Sequence, residues 1–425
     1  MKYQEFLDYI YQRHSGNVKL GLGRMHKILS AMDYPNKKLK GIHLAGTNGK
    51  GSTAAMCEAI SIMHGLKTGL NTSPHLIDYR ERIRINKKNI ELDKLIEIYK
   101  KWEKTFADNE ASFFEITTAL AFYYFLQNKV ENAIFEVGLG GRLDGTNPFK
   151  STTTVITSIS YDHTKSLGKN IYQIAGEKAG IIKPKVPLIL GHMSHQAAKP
   201  IESTAQKNNS PIKRFGKDFQ ISNLKVDLNG TSFDYSDQDG SIPGLKTNLL
   251  GLHQAHNAAL AIAASKTYFN IIGIKPKADL IRKGLTCVNW IGRFQILHQH
   301  PLVIVDGAHN VEGVKSLISS LNNMYPKKKF IFVLAILRDK KLNQIFKNLA
   351  CICKKMYISK NKSNRAAELE LQEKYAKKYL IDYEIVENVV SATKSAIGKA
   401  KKNDIIVITG SLYTISEVLG YESLF

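Results

Sequence analysis

The chain has 425 residues, 43% of them hydrophobic and 23% charged, the balance of ordinary folded domains, which excludes collagen-like, low-complexity and disordered chains. At roughly 100–200 residues per domain the length allows two or three domains and rules out a lone binding module. Sixty Lys+Arg against 37 Asp+Glu leave a formal charge of +23, pointing toward an anionic partner such as nucleic acid, phosphates or polycarboxylates. The lysine clusters at 327–329 and 399–402 carry no interleaved aromatic platform, so they read as solvated surface and no nucleic-acid partner is expected. Cys57, Cys287, Cys351 and Cys353 form no C-x-x-C pair or disulfide framework, and no 18-residue apolar run occurs. A cytoplasmic chain with neither signal peptide nor membrane span is expected.

Short apolar segments alternate with helical patterns, the rhythm of strand–helix–strand units in parallel sheets. Residues 41–46 (GIHLAG) read as a strand running into a glycine-rich turn, with a helix over 52–64. A helical run at 115–127 precedes strands at 132–137, 153–159 and 186–190. Gly, Asp, Asn and Ser punctuate 211–247, predicting a small antiparallel patch. An alanine-rich helix follows at about 254–268, and a second series places strands at 302–306, 329–337, 355–359, 383–386 and 404–410. The fold class is therefore α/β, and a boundary near residue 297 gives two unequal domains, 1–296 and 297–425.

Residues 45–53 (AGTNGKGST) stand between a strand and a helix, the context of a loop whose backbone amides cradle phosphates. Lys50 would offset phosphate charge and Ser52 could reach a magnesium ion, although Gly51 interrupts the usual Lys-Ser/Thr pairing. Glu136 ends a strand ahead of a glycine cluster, and Asp162 and His163 follow another; ligands of parallel sheets gather at such carboxyl ends. The segment 73–86 combines Ser73 with Arg80, Arg82 and Arg84. Arginine forks suit carboxylates and phosphates, and solvated edge arginines are the alternative. Lys178, on composition alone, reads as a surface lysine.

Taken together, GTNGKGS at 46–52, SPHL at 73–76, EVGLGGRLD at 136–144, DHT at 162–164, EKAGI at 177–181, H-Q-x-x-N-A at 253–258, GRF at 292–294, DGAHN at 306–310 and TGSLY at 409–413 resemble the folylpolyglutamate synthases and dihydrofolate synthases, Mur-type ATP-dependent amide ligases. The resemblance covers about residues 20–415. It implies an N-terminal P-loop ATPase domain with a parallel sheet and a smaller, Rossmann-like C-terminal domain. It implies an enzyme that adds L-glutamate to the glutamyl carboxylate of folates, or also to dihydropteroate, through an acyl phosphate. ATP would be held by Gly46, Thr47, Asn48, Gly49, Lys50, Gly51, Ser52, Asn257, Arg293 and Asp306. Mg²⁺ would be held by Ser73, Glu136, His163 and Lys178; the lysine matching Lys178 is carbamylated in related ligases, which converts it to an anionic ligand. Lys50, Lys178 and His309 would be catalytic, with Arg82 and Ser411 bordering substrate, in a monomer acting on small molecules. A Mur-type ligase for another carboxylate, and a nucleotide- or nucleic-acid-binding protein without ligase activity, are the competing readings. Two departures from the family pattern, Ile291 and Val311 where proline is common, leave the hinge angle and the start of the following helix open.

Overall fold

Every residue of the strand Gly41–Ala45 is buried, as expected of a parallel strand covered on both faces. In the computed structural model, which describes residues 3–13 and 21–421, it lies inside an eight-stranded sheet. The order is Lys88–Asn89, Ile83–Ile85, Thr68–Asn71, Asn132–Glu136, Gly41–Ala45, Thr153–Ile156, Leu188–Leu190 and Ile212–Arg214. All pairings are parallel except those of the first two strands, which are antiparallel. The register sets Leu44 against Glu136 and Ala45 against Ile156. Three neighbouring strands thus end level with one another, and the loops that follow them face a common space.

Helices cover both faces. Lys50–Met63 is buried from Gly51 to Ser61, and it packs with the alanine-rich helix Leu252–Ile271 in one core. Small side chains there let the two helices approach closely. The opposite core is aromatic: Phe122 and Phe135 lie 4.3 Å apart, and Phe135 and Phe149 4.8 Å, beneath the helix Phe113–Gln127.

The antiparallel patch predicted over 211–247 forms from Phe219–Asp227, Gly230–Asp237 and Gly240–Thr247. Its first residues are a correction: Ile212–Arg214 pairs parallel with Leu188–Leu190 and extends the large sheet. Three residues are too few for periodicity to reveal their partner.

The second sheet runs Gln295–Gln299, Leu302–Val305, Ile405–Thr409, Phe330–Leu334, Cys353–Lys360 and Tyr383–Asn388. Only Gln295–Gln299 is antiparallel; its sequence, QILHQ, carries too weak an apolar signal to predict a strand. The helix Val311–Met324 starts without proline because the Asn310 side chain accepts the Gly313 amide at 2.8 Å, the ordinary N-cap arrangement. No helix among the described residues is long and apolar enough to cross a membrane.

Replacing Phe135, which is fully buried, by Ala is expected to remove about 3–5 kcal/mol of stability. Denaturant unfolding measures it; a loss below about 1 kcal/mol would show that the aromatic cluster is not a packed core.

Candidate active site

The turn after Gly41–Ala45 has a conformation that its glycines permit. Gly46 has φ 153°, and a Cβ there would lie 1.9 Å from Thr157 Oγ1; Gly49 has φ 87°, and a Cβ there would lie 2.4 Å from Asn257 Oδ1. The loop after Thr153–Ile156 clamps this turn. Thr47 N donates to Ser158 O at 2.8 Å, and Asn48 N to Ser158 Oγ at 3.0 Å. The Thr157 hydroxyl donates to Asn48 O at 2.7 Å, and Ser160 N to Thr47 Oγ1 at 3.0 Å. The following helix begins at Lys50, so its first-turn amides have no intrahelical acceptors and form an anion site.

Two lysines converge on this turn. Lys50 Nζ donates to Gly46 O at 3.2 Å and to Thr47 O at 3.4 Å, and lies 4.0 Å from Glu136 Oε1. Lys178 Nζ donates to the same Gly46 oxygen at 2.9 Å. Burial, aided by the nearby Lys50 charge, pushes the Lys178 ammonium down to about 7. The surface reading of Lys178 is thus corrected: the helix Ile171–Ala179 turns it inward. Glu136 is buried and accepts Ser73 N at 3.2 Å. Burial raises its pKa against the pull of Lys50, the Ser73 amide and Arg293.

The three arginines of 73–86 have separate fates. Arg80 pairs with Asp78, and Arg84 with the buried Glu58. Arg82 is buried over the Phe113 ring at 4.9 Å, with Nε donating to His75 Nδ1 at 2.7 Å, and it alone of the three lines the cavity. His163 also lines it, in a left-handed conformation (φ 49°), with its Nε2 3.9 Å from Asp162 Oδ1.

The second sheet supplies the facing wall. Asp306 is buried, and its two oxygens accept Phe294 N at 2.9 Å and Ala308 N at 2.8 Å, so it ties the Gly292–Phe294 segment to its own strand end. Arg293 lies against Gly307. His309 Nδ1 donates to Gly307 O at 2.8 Å. Ser411 caps the helix Leu412–Leu419 and lines the cavity. Gly46 to Ser52, Ser73, Glu136, Lys178, Asn257, Arg293, Asp306 and His309 border the same space of about 920 Å³, large enough for a nucleotide and a second substrate.

His253 and Gln254, which open the H-Q-x-x-N-A motif without a sequence-assigned role of their own, also belong to the lining. His253 Nδ1 and Gln254 Nε2 are buried without a hydrogen-bond partner among the described residues, and both residues line the cavity; such orphaned groups are suited to a polar ligand. Phe114 and Lys340 line it too. Lys340 looks in sequence like any lysine of a basic run, yet its side chain is only 4% exposed. Among the described residues no cluster of three or more His, Cys, Asp or Glu could hold a metal unaided. The Glu136 carboxylate, beside Lys50 of the glycine turn and with Ser73 adjacent through its amide, instead suits a hard cation that keeps other ligands of its own.

The family model for the Mur ligase middle domain matches residues 44–265, and that for the Mur ligase glutamate ligase domain matches 292–412. The Bacillus subtilis dihydrofolate synthase/folylpolyglutamate synthase is 35% identical, covering 98% of both chains. A Mycobacterium tuberculosis folylpolyglutamate synthase complexed with ADP superposes with a TM-score of 0.91 at 29% identity, over 98% of this chain and 97% of that one. E. coli FolC in complex with DHPP and ADP gives 0.89 at 29% identity, over 98% and 96%. The fold is thus that of the ATP-dependent Mur-type ligases. Within that class the chain belongs to the folylpolyglutamate synthase/dihydrofolate synthase family.

The depressed Lys178 pKa has a stability consequence. Below about 7 the lysine is charged both folded and unfolded, and the full cost of burying the charge applies; between about 7 and the ordinary 10.5 the folded state sheds the proton first and that cost is relieved. In carbon-dioxide-free buffer, wild type should therefore gain stability relative to Lys178→Met as pH rises through this window. A stability difference that does not change with pH would contradict the buried, perturbed lysine.

Proposed function

We propose that this chain joins L-glutamate to the terminal glutamyl carboxylate of folates, and to dihydropteroate, at the expense of ATP. The observation that carries the reading is the convergence of Lys50 and Lys178 on one backbone carbonyl beside Glu136, at level strand ends. Relatives support it: one solved relative is described as complexed with ADP, another as complexed with DHPP and ADP.

A carboxylate reacts poorly with amines because oxide would have to leave. Transfer of the γ-phosphoryl group of ATP onto that carboxylate gives an acyl phosphate and ADP. The glutamate amine then attacks the acyl carbon, and phosphate departs with the bonding pair. The protein's task is positioning and charge neutralisation. The 46–52 amides and Lys50 hold the phosphates, with Arg293 adding charge from the hinge. Asn257, which buttresses Gly49, faces the base, and Asp306 organises the ribose side of the cleft. Arg82 and Ser411 border the acceptor and the incoming amino acid, and His309 lies between the nucleotide and that amine. Glu136, Ser73 and His163 would hold Mg²⁺, together with Lys178 once carbamylated, and the ion would neutralise phosphate charge. Residues 1–296 act as the ATP-binding domain and 297–425 as the ligase domain, so the walls enclosing the acyl phosphate come from both.

Lys50→Ala and Glu136→Ala should each lower turnover on the order of 10²–10³-fold, the usual effect of removing one preorganised charge-stabilising group. The assay is phosphate release requiring both folate and glutamate, with dihydropteroate and tetrahydrofolate offered separately and products identified by mass. Near-wild-type turnover in both variants would refute the assigned site. An unprotonated Lys178 can react with carbon dioxide, so carbon-13 NMR in labelled bicarbonate should reveal a carbamate resonance that Lys178→Met lacks; identical spectra would dismiss the modification.

A further inference from the structure

Asp162 is absent from the reaction described above, yet it gathers three groups from the facing domain. Its Oδ1 accepts Lys340 Nζ at 2.6 Å. Its Oδ2 accepts Asn310 Nδ2 at 3.2 Å and lies 3.4 Å from His309 Nε2. The Asp162 side chain is 9% exposed and that of Lys340 4%. All three partners belong to the second sheet's loops: His309 and Asn310 follow Leu302–Val305, and Lys340 follows Phe330–Leu334. Asn310 also pairs with Asn48 of the phosphate turn, its Nδ2 donating to Asn48 Oδ1 at 2.9 Å and its Oδ1 accepting Asn48 Nδ2 at 3.2 Å.

We propose that Asp162 is a positioning residue that latches the two domains across the cleft, fixing His309 and Lys340 relative to the phosphate turn. Three features support a latch rather than a fold-stabilising pair. The contact bridges two sheets that each have their own apolar core, so neither needs it to fold. Opening the cleft would return both charges to water, and a buried ion pair gains little net free energy over solvated ions. The contact is thus strong in orientation yet reversible. Finally, His309 is held from both sides, its Nδ1 by Gly307 O and its Nε2 beside Asp162, so loss of the carboxylate frees the ring to rotate. Misplacement of a positioned group by about 1 Å can cost 10²-fold in rate.

The inference rests on the proposed ligase reaction for its kinetic arm but not for its structural arm. Asp162→Asn, Lys340→Met and the double variant would be purified, with far-ultraviolet circular dichroism and thermal unfolding to verify that each folds. Small-angle scattering without nucleotide should give a larger radius of gyration for all three variants than for wild type; an unchanged radius would overturn the latch whether or not the enzyme is a ligase. In the glutamate-ligation assay each single variant should lower kcat about 10²-fold while the KM for ATP changes less than about threefold, and the double variant should be no worse than the poorer single. Multiplicative losses, or an effect confined to the KM for ATP, would also overturn it. A wild type that forms no product would refute the ligase reading and leave the scattering result to decide the latch.

Discussion

Two lysine side chains share one carbonyl oxygen: Lys50 and Lys178 both donate to Gly46 O. Like charges so close in a buried setting repel unless anions offset them, and Glu136 is the carboxylate beside Lys50, at 4.0 Å. Burial first, and the Lys50 charge second, push the Lys178 ammonium down to about 7. A glycine turn that leads into a helix N-terminus and carries Lys50 is complementary to a polyphosphate, and the close approach of the two lysines explains the order around it. The turn must be rigid to hold the lysines together, and Thr157, Ser158 and Ser160 make it so.

That rigidity begins with the register of the sheet. Because Leu44 stands opposite Glu136 and Ala45 opposite Ile156, the phosphate turn, the glutamate and the clamping loop emerge at the same level. A shift of one strand by a single residue would move Glu136 away from Lys50 and turn its side chain to the other face. The second sheet repeats the arrangement, with the loops after Leu302–Val305 and Ile405–Thr409 carrying His309 and Ser411. The cleft lies where two sets of carboxyl-terminal strand ends face each other, as ligand sites of open α/β sheets do.

Much of this is legible in the chain itself. Strands such as Asn132–Glu136 and Ile405–Thr409 are buried throughout and mostly apolar, so composition alone declares them. The glycine turn between Gly41–Ala45 and Lys50–Met63 announces itself because glycine, lysine and serine stand together between strand and helix. Other features depend on tertiary partners. The strand Ile212–Arg214 is defined by an edge it completes, and nothing in three residues specifies that edge. Arg80, Arg82 and Arg84 have equal standing in sequence, yet Asp78 and Glu58 neutralise two and leave one for the cleft. Lys340 sits in an RDKK run with nothing local to set it apart, and only the approach of Asp162 from 178 positions away distinguishes it.

The proposed function depends on triphosphate lying on the Gly46 turn beside Lys50. A crystal structure of the chain with a non-hydrolysable ATP analogue and Mg²⁺ tests this most directly. Phosphate oxygens are expected within hydrogen-bond distance of the 47–52 amides, with Lys50 Nζ transferred from Gly46 O to phosphate. A nucleotide seated elsewhere, with Lys50 still bonded to Gly46, would contradict it.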